Sequence, residues 1–376
     1  PHRRLEFLDD PLPTMHVTAR RTWEPEGWPV RAKFPPGGPR LLAVDADGDG
    51  RKDVCWAGGP DSTVRVPDGS LATVPDPDSA ALFAVRADGL SLAGTDDLAF
   101  AHLDQRLRPE LAALAIGAAG AGPAYFAVAT YATGADTSSP GGRVWLLDHT
   151  GAVRPGWPAR LPSIVVTPPV IAGSYPDARV LVGCADGHVY SLLLDGSIAE
   201  RVEVVPATDG TYSGRLAVVD FSGCRLVAAG TDQGWVGVSW IGECISGATT
   251  AAAGAWPVRV ARDSAFVPDL LWLGLDGAAG GGTSDGVCGG GVPTLVVHGD
   301  ERMWAFCPSG TGLAGWGHAF GDTLVNGLGA GDPDGDGLPD VLVQDIHSGL
   351  AFINRTGYPS PGWPRKGADE DLRTWS

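Results

Sequence analysis

The chain is short of positive charge. Its 27 Lys and Arg face 44 Asp and Glu, which leaves a formal net charge of −17. That argues against a nucleic-acid partner, whose phosphates must be neutralised by Lys and Arg. It argues equally against an electrostatic grip on anionic lipid. There is no run of 18 apolar residues, so no membrane-spanning helix is expected. Motifs that carry catalysis are missing too. The sequence holds no Cys-x-x-Cys, no His-Glu-x-x-His, no Gly-x-Ser-x-Gly and no phosphate-binding P-loop. The eight histidines, at positions 2, 16, 102, 149, 188, 298, 318 and 347, show no metal-ligand spacing. No catalytic residue and no organic cofactor site is therefore assigned. Long amphipathic helical stretches are scarce, and the best candidate covers residues 106–115.

What the chain does have is glycine, proline and short apolar clusters. Its 55 Gly and 31 Pro make up about a quarter of the residues, a share that would signal disorder if apolar residues were few. They are 44%, gathered in strand-length runs, so the glycines and prolines read as turns. One acidic turn occurs twice. The first copy is Asp45-Ala46-Asp47-Gly48-Asp49-Gly50-Arg51-Lys52-Asp53, and the second is Asp332-Pro333-Asp334-Gly335-Asp336-Gly337-Leu338-Pro339-Asp340. Four carboxylates in nine residues repel one another unless a cation sits among them. Hard oxygen ligands at alternate positions suit calcium. The twelfth position of an EF-hand would be Glu, but here it is Trp56 or Val343, so these are not EF-hands. An apolar run follows each copy, as expected of a calcium turn between two strands. A solvated turn without metal is the alternative, and two copies at the same spacing weigh against it. The expected ligands are Asp45, Asp47, Asp49, Asp53 and the Arg51 carbonyl for one Ca2+ ion. For a second they are Asp332, Asp334, Asp336, Asp340 and the Leu338 carbonyl.

The flanks of these turns recur with eroded ligands. Frames stand at positions 45, 86, 117, 173, 220, 276 and 332, at separations of 31 to 56 residues. A second element repeats beside them: Gly27-Trp28-Pro29, Gly156-Trp157-Pro158, Ala255-Trp256-Pro257, Gly315-Trp316-Gly317 and Gly362-Trp363-Pro364. A period of about 40–50 residues marks a propeller-like array with one four-stranded sheet per repeat. Proline suits the outer edge strand, where one amide needs no partner. The tryptophans are expected to pack between neighbouring repeats, with sugar binding as the alternative.

These turns and repeats resemble the FG-GAP or VCBS family, the calcium-loop β-propellers of integrin heads and many secreted bacterial proteins. The resemblance runs from about residue 38 to 366 and is specific at the two intact loops. It implies an all-β propeller, read from the frames as seven four-stranded blades. Residues 1–37 would form an N-terminal segment packing on the last blade, and residues 367–376 a tail. The expected closure has residues 16–32 beside the C-terminal blade; starting a split blade is the other option. The sequence lacks the Ser-x-Asp-x-Gly-x-Thr-Trp box of sialidase propellers and the repeated docking motif of quinoprotein dehydrogenases.

Cysteine placement points to an oxidising compartment. Cys224 and Cys244 lie in two turns of one repeat and Cys288 and Cys307 in two turns of the next, so two disulfides within repeats are expected. Cys55 and Cys184 are expected as buried thiols. The start, Pro1-His2-Arg3-Arg4, fits a processed mature form that is extracellular, at the cell surface or periplasmic. The functional expectation is a secreted, calcium-stabilised, non-catalytic adhesion or scaffold module for a protein partner within a larger extracellular assembly. A lectin-like propeller is the first alternative and a polysaccharide lyase or hydrolase the second. Residues 277–291 and 132–142 are the longest loop elaborations and the candidate partner surface.

Overall fold

Alternating apolar strands broken by positive-φ glycine turns build the described part of the chain. The computed structural model describes residues 4–9, 15–20, 42–58, 61–65, 71–75, 80–94, 99–103, 106–107, 112–115, 123–131, 142–221, 224–242, 255–261, 269–275, 288, 292–299, 302–317, 324–345 and 350–363. Among these residues there is no α-helix, only one short 3-10 turn at Ala207–Asp209.

Six antiparallel sheets follow one another along the chain, and in each the main path of strands runs in chain order. The first holds Leu42–Val44, Asp53–Gly58, Ala80–Val85 and Ala99–Leu103. The second holds Ala112–Ala115, Ala124–Tyr131, Arg143–Asp148 and Ala159–Arg160. The third holds Val170–Ala172, Arg179–Gly183, His188–Leu192 and Ile198–Glu203. The fourth holds Tyr212–Phe221, Cys224–Thr231, Trp235–Ile241 and Val258–Arg259. The fifth holds Asp269–Leu273, Thr294–Gly299 and Arg302–Phe306. The sixth holds Leu324–Gly331, Asp340–Asp345 and Leu350–Ile353.

The first strands of successive sheets lie side by side. Ala112–Ala115 touches both Leu42–Val44 and Val170–Ala172, and the series continues through Tyr212–Phe221 and Asp269–Leu273 to Leu324–Gly331. The sheets therefore fan out from a shared inner edge, which is the propeller arrangement. Their faces pack on each other. Val144, Leu146 and Trp157 of the second sheet meet Val180, Tyr190 and Leu192 of the third in one buried cluster. Similar clusters join the first sheet to the second, the third to the fourth, the fourth to the fifth and the fifth to the sixth.

Two sequence expectations are corrected here. The frame at position 86 does not open a repeat. Residues 86–89 turn from Ala80–Val85 into the last strand of the first sheet, so frames 45 and 86 belong to one sheet. The cause is an inserted hairpin, Asp61–Arg65 paired with Leu71–Pro75, which lengthens the first repeat. Among the described residues there are thus six such sheets. The second correction is residues 106–115, read as the best helical stretch. Arg106–Leu107 and Ala112–Ala115 are strands, both paired with Ala124–Tyr131. Alanine favours a helix locally, but pairing and burial beside the inner strands override that weak bias.

The N-terminal hairpin pairs Arg4–Asp9 with Met15–Arg20 as a sheet of its own. Residues 21–41 and 364–376 lie outside the described ones, and with them most of the expected closure.

The Cys288–Cys307 disulfide is present, linking the long first turn of the fifth sheet to the end of its third strand. Cys224 is also disulfide-bonded; its expected partner, Cys244, lies outside the described residues. Cys55 and Cys184 are free and buried. Burial, helped by the negative charge of Asp53, pushes the Cys55 thiol up to about 12, and burial beside Asp186 pushes Cys184 up as well. A thiol that titrates four units above the medium is ionised about one part in ten thousand. At pH 8 both should resist iodoacetamide in the folded protein and react only after unfolding. Mass spectrometry of alkylated peptides checks this, and fast labelling of either in the native state would place it on an open surface instead.

Candidate metal loops

Each acidic loop is a local product of its glycines. Gly48 and Gly50 have φ of 84° and 85°, and Gly335 and Gly337 have 75° and 83°. Such backbone is open to glycine and strained for other residues. It curls the chain so that amides point at the aspartates. In the first loop the amides of Gly48 and Gly50 donate to the two oxygens of Asp45, at 2.8 and 2.9 Å. The Asp49 amide donates to Asp47 at 3.1 Å, and the Arg51 amide to Asp49 at 2.8 Å. The second loop repeats all four bonds. Gly335 and Gly337 donate to Asp332 at 2.8 and 3.0 Å, Asp336 to Asp334 at 3.3 Å, and Leu338 to Asp336 at 2.8 Å.

The result is two carboxylate triads. Oxygens of Asp45, Asp47 and Asp49 lie within 4.8 Å of one another, and so do those of Asp332, Asp334 and Asp336. Oxygens 2.3–2.6 Å from one ion stand at most about 5 Å apart. Both triads therefore fit a calcium ion with little rearrangement.

The fourth aspartate of each loop sits below its triad, on the second strand. Asp53 is 1% exposed, and its Oδ2 accepts the Ala46 amide at 2.9 Å. The Ala46 carbonyl in turn accepts the Ala124 amide at 2.9 Å, tying this loop to the second sheet. In the other loop Pro333 replaces Ala46 and has no amide to donate. Asp340 there accepts the Ser360 hydroxyl at 2.5 Å instead. Burial, reinforced by the neighbouring carboxylates Asp47 and Asp49, raises Asp53 above the usual carboxylate range against the pull of the Ala46 amide. Burial also raises Asp340; the Ser360 bond opposes it and the charges of Asp334, Asp336 and Asp332 add to it. A cation would reverse both repulsions.

The two loops differ in one charge. Arg86, just after the third strand, brings Nε within 3.6 Å of Asp47 and a terminal nitrogen within 3.8 Å of Asp49. At the matching place in the sixth sheet stands Asn354, whose side chain accepts from Thr356. Among the described residues, the first triad carries a resident positive charge and the second has none.

In a meander the first and third turns emerge at the same end, so both loops share that end with the other turns. A cleft of about 760 Å³ opens there between the third and fourth sheets, lined by Asp177, Arg179, Glu200, Asp220 and Arg225 among others. Its guanidiniums are already engaged. Arg225 pairs with Asp220 at 2.7 Å, and Arg179 donates to the Asp177 carbonyl at 2.9 Å. Most of residues 132–142 and 277–291 lie outside the described residues.

Sequence reasoning placed the tryptophans between repeats without finding their acceptors. Three of the five motif indoles donate their N–H to a carbonyl in the turn after the third strand of the next sheet: Trp157 to Leu194 at 3.0 Å, Trp256 to Pro308 at 2.6 Å and Trp316 to Arg355 at 3.1 Å. The acceptor always stands two residues before a turn glycine, at Gly196, Gly310 and Gly357. That spacing was the available signal.

No protein-family model matches the chain, and no curated protein matches it in sequence. Solved structures similar to it include BBS1N in complex with ARL6DN (12% identity over 91% of this chain and 88% of that one, TM-score 0.48). Another is BamB from Moraxella catarrhalis, at 15% identity over 88% and 86% of the two chains and a TM-score of 0.42. The V. cholerae biofilm matrix protein Bap1 is similar at 12% identity over 90% of this chain and 41% of that one, with a TM-score of 0.37. At identities this low none of them assigns this chain a function.

Proposed function

We propose that this chain is a calcium-stabilised β-propeller of the FG-GAP or VCBS kind, acting outside the cytoplasm as a non-catalytic binding module for a protein partner. The observation that carries the reading is the pair of triads, built by the same four hydrogen bonds at both ends of the chain. Two such loops lock the first-to-second-strand turns of the first and sixth sheets. When bound, calcium supplies charge neutralisation and no chemistry. The chain's own part is to hold carboxylates in place on rigid strands. The propeller's variable turns then form a broad end surface on a stiff frame, which suits recognition. The disulfide of the fifth sheet supports an oxidising compartment.

Calorimetric titration tests the metal reading: two Ca2+ ions should bind the wild type, and one each to Asp49→Ala and Asp336→Ala. Absence of calcium binding would sink it. The binding role is tested by recovering a native complex with calcium present and losing it with chelator; a protein that stays alone under both conditions contradicts it.

The loops should differ in affinity. The Arg86 guanidinium repels an incoming cation and must give up its pairing when one binds. Arg86→Ala should tighten the first site by about 3- to 10-fold, the range of an exposed charge pair near 1 kcal/mol. The second site should not change. Titration of Arg86→Ala in the Asp336→Ala background isolates the first loop, and an unchanged affinity there removes Arg86 from the account.

A further inference from the structure

We propose that the cleft between the third and fourth sheets takes a basic side chain, lysine or arginine, of a protein partner. This rests on the reading of the chain as a protein-binding module, and it adds where the partner is held and by what chemistry.

Two cross-strand pairs build the facing walls. Ser191 stands opposite Glu200 on the third sheet, and Arg225 opposite Ile241 on the fourth. Directly opposed residues carry Cβ atoms about 5 Å apart on one face, so one cationic head can touch both Ser191 and Glu200. The Glu200 carboxylate also reaches toward the fourth sheet, its Oε1 lying 3.7 Å from where a Cβ on Gly242 would stand.

Ser191 is the residue that calls for a ligand. It is 3% exposed yet lines the cleft, and among the described residues its hydroxyl has no hydrogen-bond partner. On its other side it stands opposite Leu181, part of the core that joins the two sheets. It therefore marks the inner end of the cleft. A buried hydroxyl is costly until something bonds to it.

Charge decides the sign of that ligand. Three carboxylates and two guanidiniums line the cleft, which leaves one negative charge in excess. Both guanidiniums are committed. Arg225 makes a two-point pair with Asp220 at 2.7 and 3.3 Å. Arg179 turns Nη1 onto the carbonyls of Asp177 and Ala178, at 2.9 and 3.3 Å. The carboxylates of Asp177 and Glu200 have no ion-pair partner among the described residues. An anion would be repelled by both. A cation is attracted by both and can donate to Ser191 as well. The described lining holds no aromatic ring on which a sugar would stack. Ala199 and Ile241 instead offer apolar surface for the methylene stem of lysine or arginine. The net charge of −17 draws a basic partner in.

An NMR titration of the full chain in calcium, with acetyl-Gly-Lys-Gly-amide as the probe, tests this. The peptide should shift the amide signals of Ser191, Glu200 and Ile241 to saturation, and its norleucine analogue should not. Glu200→Gln should weaken the lysine peptide about 10-fold, as expected for losing a hydrogen bond between charged groups, and Ser191→Ala about 3- to 10-fold. Asp209→Asn removes the same charge at the other end of the two sheets and should change nothing. Equal weakening by Glu200→Gln and Asp209→Asn would reduce the effect to net charge and overturn the proposal. So would a norleucine or glutamate analogue that binds as well as the lysine peptide, or a lysine peptide that does not bind. Should Ser191→Ala not fold, Glu200→Gln against Asp209→Asn decides alone. Failure of the partner reading looks different. A native complex that survives Glu200→Gln overturns the cleft and leaves that reading standing. A protein that forms no native complex but still takes the lysine peptide contradicts the reading and leaves the cleft.

Discussion

Adding a chelator to the folded protein should lower its melting temperature by about 7 °C. An ion that binds only the native state at 100 times its dissociation constant stabilises by about 2.7 kcal/mol, so two sites contribute about 5 kcal/mol. With a melting entropy of about 2.1 cal/mol/K per residue, a chain of 376 residues converts that to roughly 7 °C. Asp49→Ala and Asp336→Ala should each remove about half of the calcium-dependent part. In chelator neither should matter much, because deleting one of several crowded carboxylates relieves repulsion as it removes a turn acceptor. The check is a scanning melt of the three proteins with and without calcium. A wild-type curve that ignores chelator would end the calcium reading, whatever the loops look like.

Gly156→Ala should be the most damaging small substitution in the described structure, at about 2–5 kcal/mol. Two costs add. The φ of 91° is strained for alanine, worth about 1–2 kcal/mol. A Cβ there would also stand 2.0 Å from the Asp195 carbonyl oxygen of the next sheet, which is backbone and cannot swing aside. Overpacking of that kind costs about 1–3 kcal/mol. Gly196 faces it across the same seam, its own Cβ position lying 2.3 Å from the Gly156 oxygen. Gly94 is the control, because its φ is 70° but nothing lies within 4 Å. Gly94→Ala should show the strain alone. Urea or thermal melts of both variants separate the terms. If Gly156→Ala is no worse than Gly94→Ala, the sheets are not pressed together at this seam. Gly315 and Gly357 repeat the contact between the fifth and sixth sheets, so Gly315→Ala should behave like Gly156→Ala.

The residues alone were enough for whatever depends on near neighbours in the chain. The acidic loops were legible because their hydrogen bonds span two to five residues, and aspartate and glycine at fixed offsets specify them. Strand-length apolar runs between glycine turns announced an all-β chain. The Cys288–Cys307 pair could be read from its place in two turns of one repeat. Partners far along the chain were another matter. Frame 86 has the local look of a repeat start, and only the pairing of Asp53–Gly58 with Ala80–Val85 shows it to be a later turn of the same sheet. Residues 106–115 carry a helical bias that loses to pairing with Ala124–Tyr131. The Gly-Trp-Pro motif was visible as a repetition, but its reason lies across a seam. The indole of Trp157 finds a carbonyl 37 residues away, and Gly156 makes room for a neighbouring backbone. Asp53 and Asp340 match in sequence, yet one answers an amide and the other a serine hydroxyl, because Pro333 has no amide to offer. Local turn chemistry is written in a few adjacent residues, whereas which sheet meets which is set by burial summed over the whole chain, and only the folded structure displays that sum.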